Sequence, residues 1–271
     1  PYIYEINGIN NSINAYSNLN IGTYLVLATD ANGCFISESV VLSEPATAVL
    51  SSYTQSDFNG YGVSCNGDSN GSIDLSVGGG VGLHNFSWTN GSSNEDLTGL
   101  SAGVYLVTAT DENGCTTTET VTVSEPTSLS STSTQSNYNG YGISCNGDTD
   151  GFIDLAVNGG VDNQSYTYSW SNGQTTEDIN SLGFGSYSVS VADANGCLIS
   201  NSMVLIQSDA LTSSFATSAW NGYEIQCFGG SNGEIDFTVN GGVVSSPYIY
   251  EINGINNSIN VYSNLNIGTY L

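Results

Sequence analysis

One pattern of residues returns about every 81 positions, and this limits what the chain can fold into more than its composition does. FNGYGVSCNGDSNGSIDL starts at Phe58, YNGYGISCNGDTDGFIDL at Tyr138 and WNGYEIQCFGGSNGEIDF at Trp220, at spacings of 80 and 82 residues. A second landmark, DANGC or DENGC, ends at Cys34, Cys115 and Cys197. A longer period overlies these: residues 1–25 return at 247–271 with one change, Ala15 to Val261, a super-repeat of 246 residues or three units. The chain reads as a window on a longer array. Its expected domains are the C-terminal part of one unit (1–45), complete units at 46–125 and 126–207, and the N-terminal part of another (208–271).

Within a unit the hydrophobic period is two, which marks half-buried strands. Ile73, Leu75 and Val77 alternate with Ser72, Asp74 and Ser76, and the pattern recurs from Ile153 and from Ile235. A Gly-rich turn follows, then an aromatic strand (Phe86 and Trp88; Tyr166, Tyr168 and Trp170), then a strand opened by Gly103-Val-Tyr105 or Gly185-Ser-Tyr187. A D-x-N-G hairpin turn leads into the last strand. No stretch shows a helical period of useful length. About seven short strands per unit predict an all-β chain of tandem immunoglobulin-like β-sandwich repeats of about 81 residues, forming an extended rod.

Composition removes several function classes. There is no lysine or arginine against 25 Asp and Glu, a formal charge of −25. Such a surface repels nucleic acid and anionic membrane. It also lacks any P-loop lysine, Schiff-base lysine or arginine clamp. No apolar run reaches the roughly 20 residues of a membrane-spanning helix. With 39% apolar residues the chain has the means to bury a core, so disorder is a poor reading.

The ordered landmarks resemble the SprB repeat found in giant surface adhesins of gliding Bacteroidetes. They are Cys-x-Gly-x-x-x-Gly-x-Ile, a Gly-Gly turn, Tyr-x-Trp-x-Asn-Gly, Glu-Asp-Leu/Ile, Leu-x-x-Gly-x-Tyr and Asp-x-Asn-Gly-Cys. One complete unit carries the pattern at Cys65, Gly67, Gly71, Trp88, Gly91, Leu100, Tyr105 and Cys115; the next carries it at Cys145, Gly147, Gly151, Trp170, Gly173, Leu182, Tyr187 and Cys197. The first unit departs at Ile6, where tryptophan is replaced, and the last has Phe228-Gly229-Gly230 in its loop. The resemblance implies a secreted cell-surface filament, exported by the type IX route, that moves along the cell and grips a substratum.

The six cysteines fall two per unit, a pattern of oxidising compartments. Bonds within a unit would join Cys65–Cys115 and Cys145–Cys197. An immunoglobulin-like topology favours another scheme. Cys65 would end the first strand at one pole and Cys115 would start the last strand at the other. About eight residues of strand separate the poles by roughly 25 Å, whereas a disulfide needs Cα atoms within about 7 Å. The favoured pair is therefore Cys65–Cys197, between units, with Cys34, Cys115, Cys145 and Cys227 pairing outside the window.

The stretch CNGDTDGFIDL imitates the opening of a calcium loop, with oxygens at alternate positions and then a glycine. The candidate ligands for Ca2+ are Asn66, Asp68, Asn70 and Asp74 in one unit, and Asn146, Asp148, Asp150 and Asp154 in the next. The bidentate acid expected later in such a loop is Val77 or Val157 instead, and the last unit loses the early oxygens. A turn whose Asn and Asp side chains bond local backbone accounts for all three copies. His84, Gly78-Gly79-Gly80 and the recurrent Asp74, Asp154 and Asp236 read as surface, turn and solvent-facing strand positions. Tyr61 and Tyr141 have the chemistry to stack on sugars or to pack at a junction. The leading functional reading is a non-enzymatic stalk of a surface adhesin whose partners are neighbouring repeats. The alternative is a polysaccharide-binding repeat module.

Overall fold

The computed structural model describes residues 2–11, 13–161, 166–243, 248–257, 260–266 and 268–270. Among them every regular element is a β-strand, and no helix is long and apolar enough to cross a membrane. The chain divides into two compact units. The first comprises residues 1–57 and 68–124, and the second 58–67 and 125–271.

In the first unit, β1 (Ile3–Ile6), β2 (Ile9–Asn11), β3 (Gly22–Thr29) and β4 (Phe35–Leu42) form one antiparallel sheet in the order β2-β1-β3-β4. The repeat at 46–125 follows, with β5 (Leu50–Gln55), β6 (Gly71–Gly78), β7 (Asn85–Trp88), β8 (Leu97–Leu100), β9 (Gly103–Thr110) and β10 (Thr116–Val123). These make two three-stranded sheets, β5-β6-β8 and β10-β9-β7. In the second unit the same pair of sheets recurs from β11 (Thr127–Gln135), β12 (Gly151–Gly160), β13 (Thr167–Trp170), β14 (Ile179–Leu182), β15 (Gly185–Ala192) and β16 (Leu198–Leu205). Their orders are β11-β12-β14 and β13-β15-β16. Last come β17 (Asp209–Thr217), β18 (Gly233–Gly242), β19 (Tyr250–Ile252), β20 (Ile255–Asn257) and β21 (Val261–Leu265), in sheets β17-β18-β21 and β19-β20.

The strand orders of the two complete repeats are those of the A-B-E and G-F-C sheets of an immunoglobulin sandwich. Among the described residues each complete repeat holds six strands, not the expected seven. The eight residues between β7 and β8 are spent on a turn instead: the Trp88 indole Nε1 donates to the Asn94 carbonyl at 2.8 Å, and the Gly91 amide to the Trp88 carbonyl at 3.0 Å. Trp170 does the same to Thr176 at 2.9 Å. Burying an indole without a partner for its N–H is costly, so the Trp-x-Asn-Gly spacing is a hydrogen-bonding requirement as well as a packing one.

The core of the repeat at 126–207 lies between its two sheets. It contains Ile153 and Leu155 from β12, Trp170 from β13, Ile179 and Leu182 from β14, Val189 and Val191 from β15, and Met203 and Leu205 from β16. The strict alternation along β12 places Ile153 and Leu155 inside and Phe152 and Asp154 outside. Pairing of β12 with β14 ends at Ile153↔Ile179, and the Asp178 carboxylate extends it by accepting the Leu155 amide at 2.9 Å. Asp96 serves Leu75 in the preceding repeat at 3.0 Å. The tyrosine that opens each β9-type strand bonds back to the main chain four residues earlier: Tyr105 to Ser101 at 2.9 Å and Tyr187 to Gly183 at 3.0 Å. This is the tyrosine corner of immunoglobulin-like sandwiches.

Residues 15–19 are irregular, whereas their near-identical counterparts 261–265 form β21. The difference is a partner. β21 pairs with β18 through Asp236↔Val261 and Ile235↔Tyr262, and an unpaired strand has nowhere to place its backbone groups.

Candidate functional site: a disulfide-clamped junction of repeats

The cysteine-bearing loop 58–67 lies in sequence between β5 and β6, yet it belongs to the second compact unit. Cys65 sits in this loop, not at the end of the first strand as expected, because β5 stops at Gln55. Its bond is to Cys197, with S–S 2.03 Å and Cα–Cα 5.7 Å. Cys34, Cys115, Cys145 and Cys227 are exposed thiols.

The turn that presents Cys197 is built around a buried acid. Asp193 is only 6% exposed. Its Oδ1 accepts the amides of Asn195 and Cys197, each at 2.9 Å, and its Oδ2 accepts the Val161 amide at 2.9 Å. One carboxylate thus folds the Asp-x-Asn-Gly-Cys turn and ties it to the turn after β12. The glycine there is obligatory: Gly160 has φ +67°, and a Cβ on it would lie 2.5 Å from Asp193 Oδ2. Asp111 repeats the arrangement at 46–125, accepting Asn113 at 2.9 Å, Cys115 at 2.8 Å and Val81 at 3.0 Å. Burial pushes the Asp111 carboxyl up. The amide bonds from Cys115, Val81 and Asn113, with the charge of His84, outweigh that and hold it below the usual carboxylate range.

Fixed in this way, the turn reaches into loop 58–67. Asn195 accepts from Asn59 Nδ2 at 2.6 Å, and its own Nδ2 donates to the carbonyls of Phe58 at 3.2 Å and Ser64 at 2.9 Å. On the other side of the disulfide the loop grips the start of the next repeat. Asn66 Nδ2 donates to the Pro126 carbonyl at 3.0 Å, and the Gly67 amide donates to Glu125 Oε2 at 2.7 Å. The following loop repeats the grip: Asn146 to Ser208 at 2.8 Å, Gly147 to Gln207 Oε1 at 2.9 Å, and the Gly142 amide to the Ile206 carbonyl at 2.8 Å.

Most side chains of the calcium-like stretch are engaged within the protein. Asn66 and Asn146 act as donors to the linkers, and Asp68 and Asn70 are engaged as well. Asp148 Oδ2 accepts the Ser144 hydroxyl at 3.1 Å, and Asp150 Oδ1 accepts the Ser144 amide at 3.1 Å. The bonds from the Ser144 hydroxyl and amide hold the Asp150 carboxyl below its ordinary range. In the last repeat Asn232 Oδ1 accepts the Gln226 amide at the same 3.1 Å, so the neutral amide does the work of Asp150. Asp74 and Asp154 lie on the outer faces of β6 and β12. Among the described residues no three acidic, histidine or cysteine groups converge as a metal-holding set. His84 Nε2 lies 3.1 Å from the Gly79 carbonyl. Tyr61 and Tyr141 are half-buried and close small backbone bridges with Phe58 and Tyr138.

Sequence reasoning treated Asp-x-Asn-Gly only as a hairpin turn and missed Asp111, Asp193 and Asn195. It also missed the linker acceptors Glu125 and Gln207. The signal was present in part, since the Asp, the Asn and the Gly recur in all three copies although a hairpin turn requires only Asn-Gly or Asp-Gly.

The SprB repeat family matches this chain at residues 63–93, 143–175 and 224–257. The chain is thus similar to the SprB repeat at three places. Each matched SprB segment runs from the end of the cysteine loop through the β6-type strand to the aromatic strand or just beyond it; Cys115 and Cys197 lie outside the matches. None of the curated proteins matches the chain. Among solved structures, it is similar to the N-terminal eight Ig domains of Down Syndrome Cell Adhesion Molecule (13% identity, 76% of this chain and 32% of that one, TM-score 0.37). It is also similar to a tetra-tandem repeat in the extending region of a large adhesion protein (16% identity, 97% and 82%, TM-score 0.25). A third is the Bacteroides ovatus SGBP-B in complex with a mixed-linkage heptasaccharide (15% identity, 78% and 60%, TM-score 0.16).

Proposed function

We propose that this chain is a structural stalk segment of a long, secreted cell-surface adhesin filament that serves surface attachment and gliding motility, reaching the surface by the type IX route. The observation that supports this most is the use made of the recurrent residues. The SprB landmarks that return in successive repeats serve a sandwich core, a turn or the clamped junction. Trp170 and Tyr187 complete the core and its corner, Asp193 and Gly160 set the turn, and Cys197, Asn195 and Asn66 fasten one repeat to the next. A chain whose repeated chemistry is devoted to joining copies of itself is suited to length, so its function is mechanical and not catalytic. Its partners are neighbouring repeats.

Immunogold electron microscopy of native cells, with antibody raised against residues 126–207, tests this reading. Label along thin filaments at the cell surface is the expected result. Label on compact particles in the medium or cytoplasm would overturn it. A glycan array on the purified chain separates the stalk from the polysaccharide-binding alternative, which requires strong, salt-independent signals.

A further inference from the structure

In the repeat at 126–207 the first and last strands lie side by side at one edge of the sandwich, β11 in one sheet and β16 in the other. Side chains join them where a backbone ladder does not. Asn201 Nδ2 donates to Ser131 Oγ at 3.5 Å, and Gln135 Nε2 donates to the Val204 carbonyl at 3.3 Å. The partners advance in the same sense along both strands, so β11 and β16 run parallel. Gly142 ties their far ends together: its carbonyl accepts the Ser136 hydroxyl at 2.6 Å, and its amide donates to the Ile206 carbonyl at 2.8 Å. The approach leaves no room for a side chain, since a Cβ on Gly142 would lie 2.8 Å from Leu205 Cδ2. The near ends both meet loop 58–67, which holds the Pro126 carbonyl through Asn66 and Cys197 through Cys65. The repeat at 46–125 stitches its first and last strands at the matching place. Ser51 Oγ on β5 donates to Glu119 Oε2 on β10 at 3.2 Å and lies 3.4 Å from Thr117 Oγ1.

The parallel arrangement decides how the repeat meets tension. The chain enters at the start of β11 and leaves at the end of β16. A pull on those two points slides one strand along the other, so every link of the seam is stretched at once. Strands peeled apart from one end would give up their links one by one, each at a smaller force. We propose that the β11–β16 seam is a shear clamp that carries load through the repeat whenever Cys65–Cys197 is reduced. With the bond closed, Cys65 holds the start of β16 while its neighbour Asn66 holds the start of β11, so the two strands move together and the seam is not sheared. Reduction turns the bond into two thiols as one dithiol reductant becomes a disulfide. Tension then enters by Pro126 alone and crosses from β11 to β16 through the seam and Gly142. The repeat thus has a covalent path and a hydrogen-bonded one, selected by the redox state of the surroundings. This inference rests on the stalk reading, since only a chain under tension has use for a clamp.

The test is constant-force spectroscopy of the full chain, held by peptide tags at its two ends, with and without a dithiol reductant. Forced unfolding reports the unfolding rate and not the equilibrium stability, so the two can be separated. In the reduced chain, Ser131→Ala combined with Gln135→Ala is expected to shorten the lifetime of one unfolding step at least tenfold. Its melting temperature is expected to fall by less than about 8 °C, as suits two substitutions at the surface of the sandwich. Tyr187→Phe, which removes the corner bond to Gly183 away from the seam, is the comparison: it is expected to lower the melt as much or more and to change that lifetime less than threefold. In the oxidised chain the double variant is expected to behave as the parent does. A reduced-chain lifetime unmoved by the double variant, an equal loss in Tyr187→Phe, or an equal loss in the oxidised chain would each overturn the proposal. None of these results bears on whether filaments stand on the cell surface, so the clamp and the stalk reading fail separately.

Discussion

Replacing Asp193 by Asn keeps the shape of the side chain and changes only what it accepts. Oδ1 still faces the amides of Asn195 and Cys197, but those two bonds lose their charge assistance. The other end becomes an NH2 group facing the Val161 amide, a donor against a donor where a 2.9 Å bond now stands. Leaving one buried amide unsatisfied costs about 1–3 kcal/mol, and weakening two charged bonds adds about 1 kcal/mol, for a total of about 2–4 kcal/mol. For a repeat of this size that is a fall in melting temperature of roughly 10–25 °C. Hydrogen exchange on the full chain resolves the effect by position. The amides of Val161, Asn195 and Cys197 are expected to exchange at least about 30-fold faster, at about 1.4 kcal/mol per tenfold. Amides in β17 and β18 are expected to be unmoved. A variant within about 1 kcal/mol of the parent, with those three amides as protected as before, would refute the assignment of Asp193 as the post on which the junction turn is built.

Asp111 carries the same role with a depressed pKa, so its contribution is fully present above its unfolded value near 3.8 and is lost as pH falls through the lower folded value. Acid titration of unfolding should therefore show the repeat at 46–125 holding to about pH 4 and weakening below, with Asp111→Asn flattening that slope. Burial, then the neighbouring Glu177, pushes the Tyr168 phenol up to about 12. Its contribution is present below the ordinary value of 10 and lost between 10 and 12, so phenolate absorbance at Tyr168 should rise last, together with unfolding. Reducing Cys65–Cys197, or replacing Cys65 with Ser, opens a loop of 132 residues and should lower stability by up to about 5 kcal/mol in the chain-entropy account. The far-ultraviolet circular dichroism of the sheets should stay unchanged below the melt. Millimolar calcium is expected to leave the melt unchanged, because Ser144 and the linkers already engage the loop groups; a rise of several degrees would restore the calcium reading for Asp148 and Asp150.

The sandwich was legible because its determinants are local and periodic. Ile153 and Leu155 alternate with solvent-facing residues, and Tyr187 opens a strand two residues after a glycine, so a sequence pattern is enough to place them. The strand count was overestimated because nothing in the stretch from Thr89 to Asp96 shows that its backbone is committed to the Trp88 indole. The strand-length argument that set Cys65 apart from Cys115 placed Cys65 at the end of β5, whereas it lies in the loop beyond that strand and bonds to Cys197. The rest of the junction was not legible. Whether Asn195 turns outward to Phe58 and Ser64, or Asn66 toward Pro126, depends on groups 60 to 137 positions away. The buried state of Asp193 depends on a glycine turn 33 residues earlier. Polar residues at such places look like ordinary turn residues until the chain is folded around them.

The bond at Cys65–Cys197 is also a shortcut in contour length. The residues between its ends, drawn out at about 3.3–3.6 Å each, would add roughly 440–480 Å to an unfolded chain. While the bond holds, a pull applied beyond its two ends passes across one pair of sulfur atoms and recruits none of that slack. Sheet β11-β12-β14 of the repeat at 126–207 melts or refolds inside the bypass and the end-to-end distance barely records the event, whereas β16 lies beyond Cys197 and stays in the path of the pull.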